Sequence, residues 1–329
     1  MKKTVSLTLA VLMILVACLT TSCGKEIPKI ASDPKYVIGI CEAAEHTALS
    51  SATKGFMDAL TEELGENYVE FIVKNAEKDG VDCDTIVADF VKQDVDMILG
   101  NATDALKAAA KATTTIPVLG TSVTDYGVAL GIESFDGLAG TNVSGTSDLS
   151  PLSDHAAMIA ELFPDAEKIG ILYCKTDLSA LYQVENIKIE LEKKGFTCTG
   201  YSFTDENDVA SAAERAAAES DVIYVSTDNT VTGCAEAIYS AAIAEKTPIF
   251  GGDAGICGDC AVATITVDYY TLGVTTGKMA AKILKGESKI AEMEISFAQA
   301  FPKYYNKTAC EALGIDTALM EVAGFTALD

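Results

Sequence analysis

The chain has 329 residues and a formal charge of −24, and 49 % of it is apolar. That length suits two domains, and that composition is globular rather than disordered. The negative balance argues against a nucleic-acid partner, whose phosphates need a basic surface, and fits a well-hydrated soluble one.

Lys2 and Lys3 precede an apolar run over residues 5–17, the form of an export signal and short for a membrane span. The stretch resembles a bacterial lipoprotein signal, in which a cysteine follows small residues. Cys18 has the better apolar lead-in and Cys23 the Cys-Gly start, so the signal is 1–22, or 1–17 if Cys18 is the acylated residue. A plain secretory signal is the alternative. Each reading makes the protein extracytoplasmic, and diacylation would anchor it to the outer face of the cell membrane. Residues 23–35 read as a tether.

A buried-type strand is predicted over 36–40, then a polar loop over 42–51 holding His46. A helix over 52–64 follows, from the spacing of Phe56, Ala59, Leu60 and Leu64, with Gly65 at its end. Strands over 68–73, 96–100 and 116–119 alternate with helices over 82–93 and 104–113. The pattern then repeats: strands over 168–172, 197–203, 221–225 and 246–251, helices over 181–194, 208–220 and 231–242. Gly39 and Gly170, and Pro117 and Pro248, are each 131 positions apart. A period that long is two copies of one lobe, not a solenoid. Right-handed β-α-β crossovers make each copy a doubly wound parallel sheet. A strand over 261–267, a helix over 270–284, a linker from Gly286, a strand near 298–301 and a helix near 307–313 close the chain. The expected lobes are 36–145 with 268–296, and 146–267 with 297–329. Several crossings between them make a hinged pair.

Eight cysteines follow the two in the signal. Their spacing is no small-domain disulfide framework. Cys257-Gly258-Asp259-Cys260 is a single CxxC whose Gly and Asp suggest a turn. A zinc site would want a second pair or histidines, and only His46 and His155 exist; no metal and no cofactor are expected. Packing thiols, a local disulfide and thiol chemistry all remain open for the pair. No Gly-x-Ser-x-Gly elbow, Walker loop or dinucleotide fingerprint occurs, so no enzyme is expected.

Polar residues crowd two strand ends: Asn101-Ala102-Thr103-Asp104 after 97–100, and Ser226-Thr227-Asp228-Asn229-Thr230 after 222–225. Open α/β sheets bind ligands at such ends, where helix N-terminal N–H groups favour anions.

Further segments carry a family likeness: Glu45-His46-Thr47-Ala48-Leu49, Gly55-Phe56, Val123-Thr124-Asp125, Asn142-Val143-Ser144-Gly145-Thr146-Ser147-Asp148-Leu149, Thr227-Asp228-Asn229-Thr230 and Val267-Asp268-Tyr269-Tyr270-Thr271-Leu272-Gly273. In order and spacing, from Val37 to about Ile315, the chain resembles the ABC-transporter substrate-binding proteins of the tryptophan/tyrosine type (TrpX-like). The resemblance implies the type I periplasmic-binding-protein fold. It also implies capture of a small solute, with an aromatic or large apolar amino acid expected, and delivery to a permease with a cytoplasmic ATPase. A sensory receptor acting on a membrane signalling partner is the alternative. The chain departs from the family where Thr47 and Ser50 replace a Pro and an Asp, and where Ser226 replaces a Pro.

An α-amino acid needs oxygen-directed donors for its carboxylate and a carboxylate for its ammonium. The candidates are Thr103, Thr121 and Ser122 in the first lobe, and Thr227, Asp228, Asn229 and Asp253 in the second. Asp253 is the expected ammonium partner. Helix capping is the competing role for Asp228, Asn229 and Asp253. His46 is a further candidate, or a surface-loop residue. Tyr269 walls the pocket or packs the hinge. With no Trp in the chain, aromatic stacking falls to Tyr or Phe.

Overall fold

The computed structural model describes residues 35–328. The expected signal, Cys18, Cys23 and the tether up to Pro34 lie outside them.

The first lobe starts with β1 (Tyr36–Glu42), α1 (Thr47–Leu64), β2 (Val69–Asn75), α2 (Ala76–Asp79) and α3 (Cys83–Lys92). It continues with β3 (Met97–Asn101), α4 (Thr103–Ala112), β4 (Val118–Val123), α5 (Tyr126–Leu130) and β5 (Val143–Ser147). The second lobe runs α6 (Leu152–Leu162), β6 (Lys168–Cys174), α7 (Leu178–Lys193), β7 (Thr197–Phe203), α8 (Glu206–Glu219) and β8 (Val222–Val225). Then come α9 (Asn229–Thr232), α10 (Ala235–Glu245), β9 (Ile249–Gly251), α11 (Ala254–Asp259) and β10 (Ala263–Ile265). The chain returns to the first lobe as α12 (Tyr269–Leu284) and β11 (Ser296–Phe297), and ends in the second with β12 (Lys303–Tyr305), α13 (Lys307–Leu313), α14 (Thr317–Val322) and β13 (Thr326–Ala327).

The two sheets have orders β11-β5-β4-β3-β1-β2 and β13-β12-β10-β9-β8-β6-β7. Their cores, β5-β4-β3-β1-β2 and β10-β9-β8-β6-β7, are the same doubly wound arrangement, with every core pairing parallel. Only β12 runs antiparallel to its neighbour β10. Central strands are buried on both faces, which is why Ile38, Ile40, Ile98 and Leu99 are fully inaccessible and read as apolar runs.

The chain crosses between lobes at 148–151, 266–268 and 298–302. The crossings are tied together. Tyr269 donates its hydroxyl to Asp148 at 2.9 Å, and Thr266 N–H donates to the Pro302 carbonyl at 3.0 Å. Val267, Tyr269 and Leu272 pack with Ala52, Ala298 and Phe301 as a small apolar hinge cluster. Glycines let α12 lie directly on α1: a Cβ at Gly273 would sit 2.0 Å from the Ala52 carbonyl oxygen, and one at Gly55 2.1 Å from that of Tyr270.

Several local expectations change. The expected polar loop over 42–51 is half helix: α1 begins at Thr47 because His46 caps it, its Nδ1 accepting the Ala48 N–H at 3.0 Å. The single helix over 231–242 is two, broken at Gly233-Cys234. The Cys257–Cys260 segment is the end of α11, not a free turn; Asp253 supplies the cap that starts a helix there. The last strand lies not over 298–301 but on either side of it, as β11 and β12, because those residues make the third crossing.

Candidate functional site

The C-terminal ends of β1, β3 and β4 in one lobe and of β8 in the other converge on a cavity. It is lined by His46, Ala48, Leu49, Ala102, Thr103, Ser122, Asp148, Ser179, Thr227 and Tyr269. The space is about 20 Å³, room for about one water. Any larger solute requires the lobes to part.

In the first lobe the tips are held from below. Glu42 accepts the Thr53 hydroxyl at 2.6 Å and the Asn75 amide at 3.1 Å. Asn101 donates to the Leu49 carbonyl at 2.7 Å and to Thr53 Oγ1 at 3.0 Å. This buried network sets the first turn of α1, and with it His46, Ala48 and Leu49. Since His46 Nδ1 is the acceptor in its cap, the ring carries its proton on Nε2. That Nε2 is buried, has no hydrogen-bond partner among the described residues, and faces Asp253 Oδ1 of the other lobe at 3.9 Å.

Ala102 and Ser122 line the cavity with positive φ, 84° and 54°. Side-chain-bearing residues take such angles at a cost of about 1–3 kcal/mol, and such strain collects at functional sites. The Ser122 hydroxyl is buried with no partner among the described residues. Ala102 precedes Thr103, the first residue of the ten-residue α4, so free N–H groups of a helix N-terminus meet the cavity.

In the second lobe Gln183 of α7 holds Thr227 through its backbone, donating to its carbonyl at 3.0 Å and accepting its N–H at 3.2 Å. Asp228 is fully engaged: Oδ2 accepts the Cys174 N–H at 2.7 Å, and Oδ1 accepts those of Thr230 and Val231 at 2.9 and 3.3 Å. Asp253 caps α11, Oδ1 accepting the Ile256 N–H at 3.0 Å. Its Oδ2 is buried and lacks a donor among the described residues.

Asp148 stands at the first crossing, between Tyr269 and the Thr124 hydroxyl at 3.2 Å. Thr124 Oγ1 also meets Ser179 Oγ across the cleft. Burial pushes the Asp148 carboxyl up to about 6, with Asp253 adding to the rise and the Tyr269 and Thr124 hydroxyls opposing it. Burial and the charges of Asp148 and Asp253 push the Tyr269 phenol well above its ordinary value.

Of the residues expected from sequence, His46, Thr103, Ser122, Thr227 and Tyr269 line the cavity, and Asp253 stands behind His46. Thr121 faces the interior of its own lobe, accepting the Thr146 hydroxyl at 3.2 Å. Asp228 is a cap. Asn229 begins α9, and its side chain lies outside the described set. Asp148, Ser179 and Gln183 went unassigned. Asp148 ends a run of small polar residues, Ser144 to Ser147, and only the fold makes that run the first interlobe crossing. Cys257 in α11 and Cys260 just past its end are buried, and burial raises both thiols, Cys260 to about 12; inert packing is what such an environment supports.

The profile of a family described as "ABC transporter substrate binding protein" matches residues 37–322. A "Tyrosine-binding protein" of Clostridioides difficile is 30 % identical over 271 residues, 82 % of this chain and 78 % of that one. Among solved structures, the ABC domain in complex with L-Trp from Streptococcus pneumonia aligns at a TM-score of 0.82 with 29 % identity, covering 89 % of this chain and 100 % of that one. The ligand-free, open structure of a substrate binding protein with adhesive properties from Clostridium difficile aligns at 0.71, also with 29 % identity, covering 89 % and 99 %.

Proposed function

This chain belongs to the family of ABC transporter substrate-binding proteins, binding proteins rather than enzymes, and we propose that it captures an aromatic amino acid between its lobes and hands it to a membrane permease driven by a cytoplasmic ATPase. The observation that carries the reading is a pair of complementary buried groups on side chains that approach each other at the cleft: the Nε2–H donor of His46, 3.9 Å from Asp253 Oδ1, and the unpartnered Oδ2 acceptor of Asp253. Buried polar groups are normally hydrogen-bonded, and each orphan asks for a partner. A zwitterion supplies both. Its ammonium suits Asp253 with Asp148 near by; its carboxylate suits His46, the Ser122 hydroxyl and the N-terminal N–H groups of α4.

The side-chain class rests on relatives, a tyrosine-binding protein and an L-Trp complex. Tyr269 is the aromatic wall in the cleft. The higher overall likeness to the L-Trp complex than to the open ligand-free structure, at equal identity, supports reading the present arrangement of lobes as the closed side of a hinge motion. The protein works on the extracytoplasmic face, held by lipid on Cys18 or Cys23.

Titration calorimetry with L-tyrosine, L-tryptophan and L-phenylalanine, beside glucose and myo-inositol, tests this. Saturable binding of at least one aromatic amino acid and none of the polyols is expected. Binding confined to a polyol would refute the ligand class.

A further inference from the structure

The three crossings keep the lobes joined at every degree of opening; a different contact holds them shut. Away from the crossings, two hydroxyls meet across the cleft: Thr124, one residue past β4 in the first lobe, and Ser179, in the first turn of α7 in the second. Thr124 is buried and Ser179 lines the cavity. Their neighbours decide where the protons lie. Thr124 donates its hydroxyl to Asp148 Oδ1 at 3.2 Å, so its oxygen accepts from Ser179. Ser179 Oγ in turn accepts a side-chain N–H of Gln183 at 3.2 Å, and the same amide nitrogen donates to the Thr227 carbonyl at 3.0 Å. Gln183, Ser179 and Thr124 thus donate in one direction, from the second lobe to the carboxylate at the first crossing, and each bond polarises the next. Tyr269 meets the other oxygen of that carboxylate at 2.9 Å.

We propose that the Thr124–Ser179 hydrogen bond is the latch of the closed state, made when the lobes meet and broken when a captured solute leaves, so that these two residues set the residence time. The inference rests on the reading of the cleft as a solute trap. Thr124 is bonded to Asp148 at a crossing, close to the pivot, where a parting of the lobes moves atoms least. The latch therefore survives the small widening that a bound solute needs and gives way on full opening. Neither end is charged, so closing it buries no charge. When it opens, water replaces each partner, and only the net worth of a hydrogen bond is lost. That is enough to slow release several-fold and too little to hold the solute permanently. Gln183 is the positioning residue: it holds the Ser179 hydroxyl and the Thr227 backbone together, so the latch and the second lobe's cleft wall move as one.

The chain has no Trp, so L-tryptophan fluorescence reports its own binding in stopped flow. Ser179→Ala and Thr124→Val should each release L-tryptophan about 5-fold faster, with association within about twofold of the native rate. The double variant should release it no faster than Thr124→Val alone, because both changes remove one bond. Unchanged release in Ser179→Ala, a loss confined to association, or effects that multiply in the double variant would overturn the proposal. A second variant, Thr124→Cys with Ser179→Cys, tests the contact without a solute. Mild oxidation followed by peptide mapping should find residues 124 and 179 cross-linked, and the locked protein should exclude L-tryptophan added afterwards. No such cross-link overturns the latch. With a native chain that binds no L-tryptophan, the solute reading fails, and the cross-link alone decides for or against the latch.

Discussion

Asp253 spends one carboxylate oxygen on capping α11 and leaves the other without a donor from the described chain. The two tasks separate in Asp253→Asn, because Asn caps a helix about as well as Asp. The variant should keep its melting temperature within a few degrees, yet bind the amino acid about 100-fold more weakly, in line with the 2–5 kcal/mol lost when one partner of a buried charged pair is removed. A des-amino analogue of the same ligand should lose little affinity; an equal loss for both would refute the ammonium role. Asp148 offers a pH test. An unfolded Asp titrates near 3.8, whereas the folded one does so at about 6. Between those values the folded chain holds a proton the unfolded chain has released, so this residue's contribution to stability falls as pH rises through that window and stays lost above it. Asp148→Asn should therefore gain on the order of 3 kcal/mol over the wild type at pH 8 and none at pH 3.5, read by urea unfolding at both pH values. These residues were unevenly legible. Ser122, Thr227 and Asp253 follow apolar runs that any reader marks as strand ends. Thr121 belongs to the same run, and only the pleat, which turns successive side chains to opposite faces, sends it into the lobe interior. Asp148 needed the three-dimensional crossing.

At the level of elements, α1 and α12 are the support on which the cleft stands. One carries His46 at its start and the other Tyr269, and their glycine-lined contact brings the two N-termini to the same cavity. Gly273→Ala should cost about 1–3 kcal/mol by overpacking against the Ala52 carbonyl, more than the roughly 1 kcal/mol that alanine gains in helix propensity. Denaturant unfolding measures it, and a neutral result would mean the helices slide apart freely. Helices with plain periodicity, such as α3, α4 and α8, were readable to within two residues. The start of α1 was not, because a histidine is an uncommon cap and no Ser, Thr, Asp or Asn precedes Thr47. The break between α9 and α10 was hidden for a related reason: the apolar pattern runs on through Gly233, and Asp228 caps the start of a separate short turn.

For the whole molecule, the 131-residue period announced two lobes, and the five-stranded cores of both sheets share one strand order. What sequence could not convey is how far the lobes approach each other. With about 20 Å³ between them, a bound amino acid must hold them wider than they stand here, while the solute-free protein must open further still to admit it. Small-angle scattering should register a smaller radius of gyration with saturating ligand than without. An unchanged or larger radius would rule out closure on binding.

The period has one more consequence. Ser122 and Asp253 are themselves 131 positions apart, so corresponding positions of the two lobes carry a hydroxyl in the first and a carboxylate in the second. A perfectly duplicated pair would offer mirror-image jaws and would grip best a molecule with two identical ends. Divergence at this position, with His46 opposite Asp253, gives the trap a head and a tail. On the proposed reading a zwitterion then enters in one sense only, its two ends told apart by the lobes before any side chain is read.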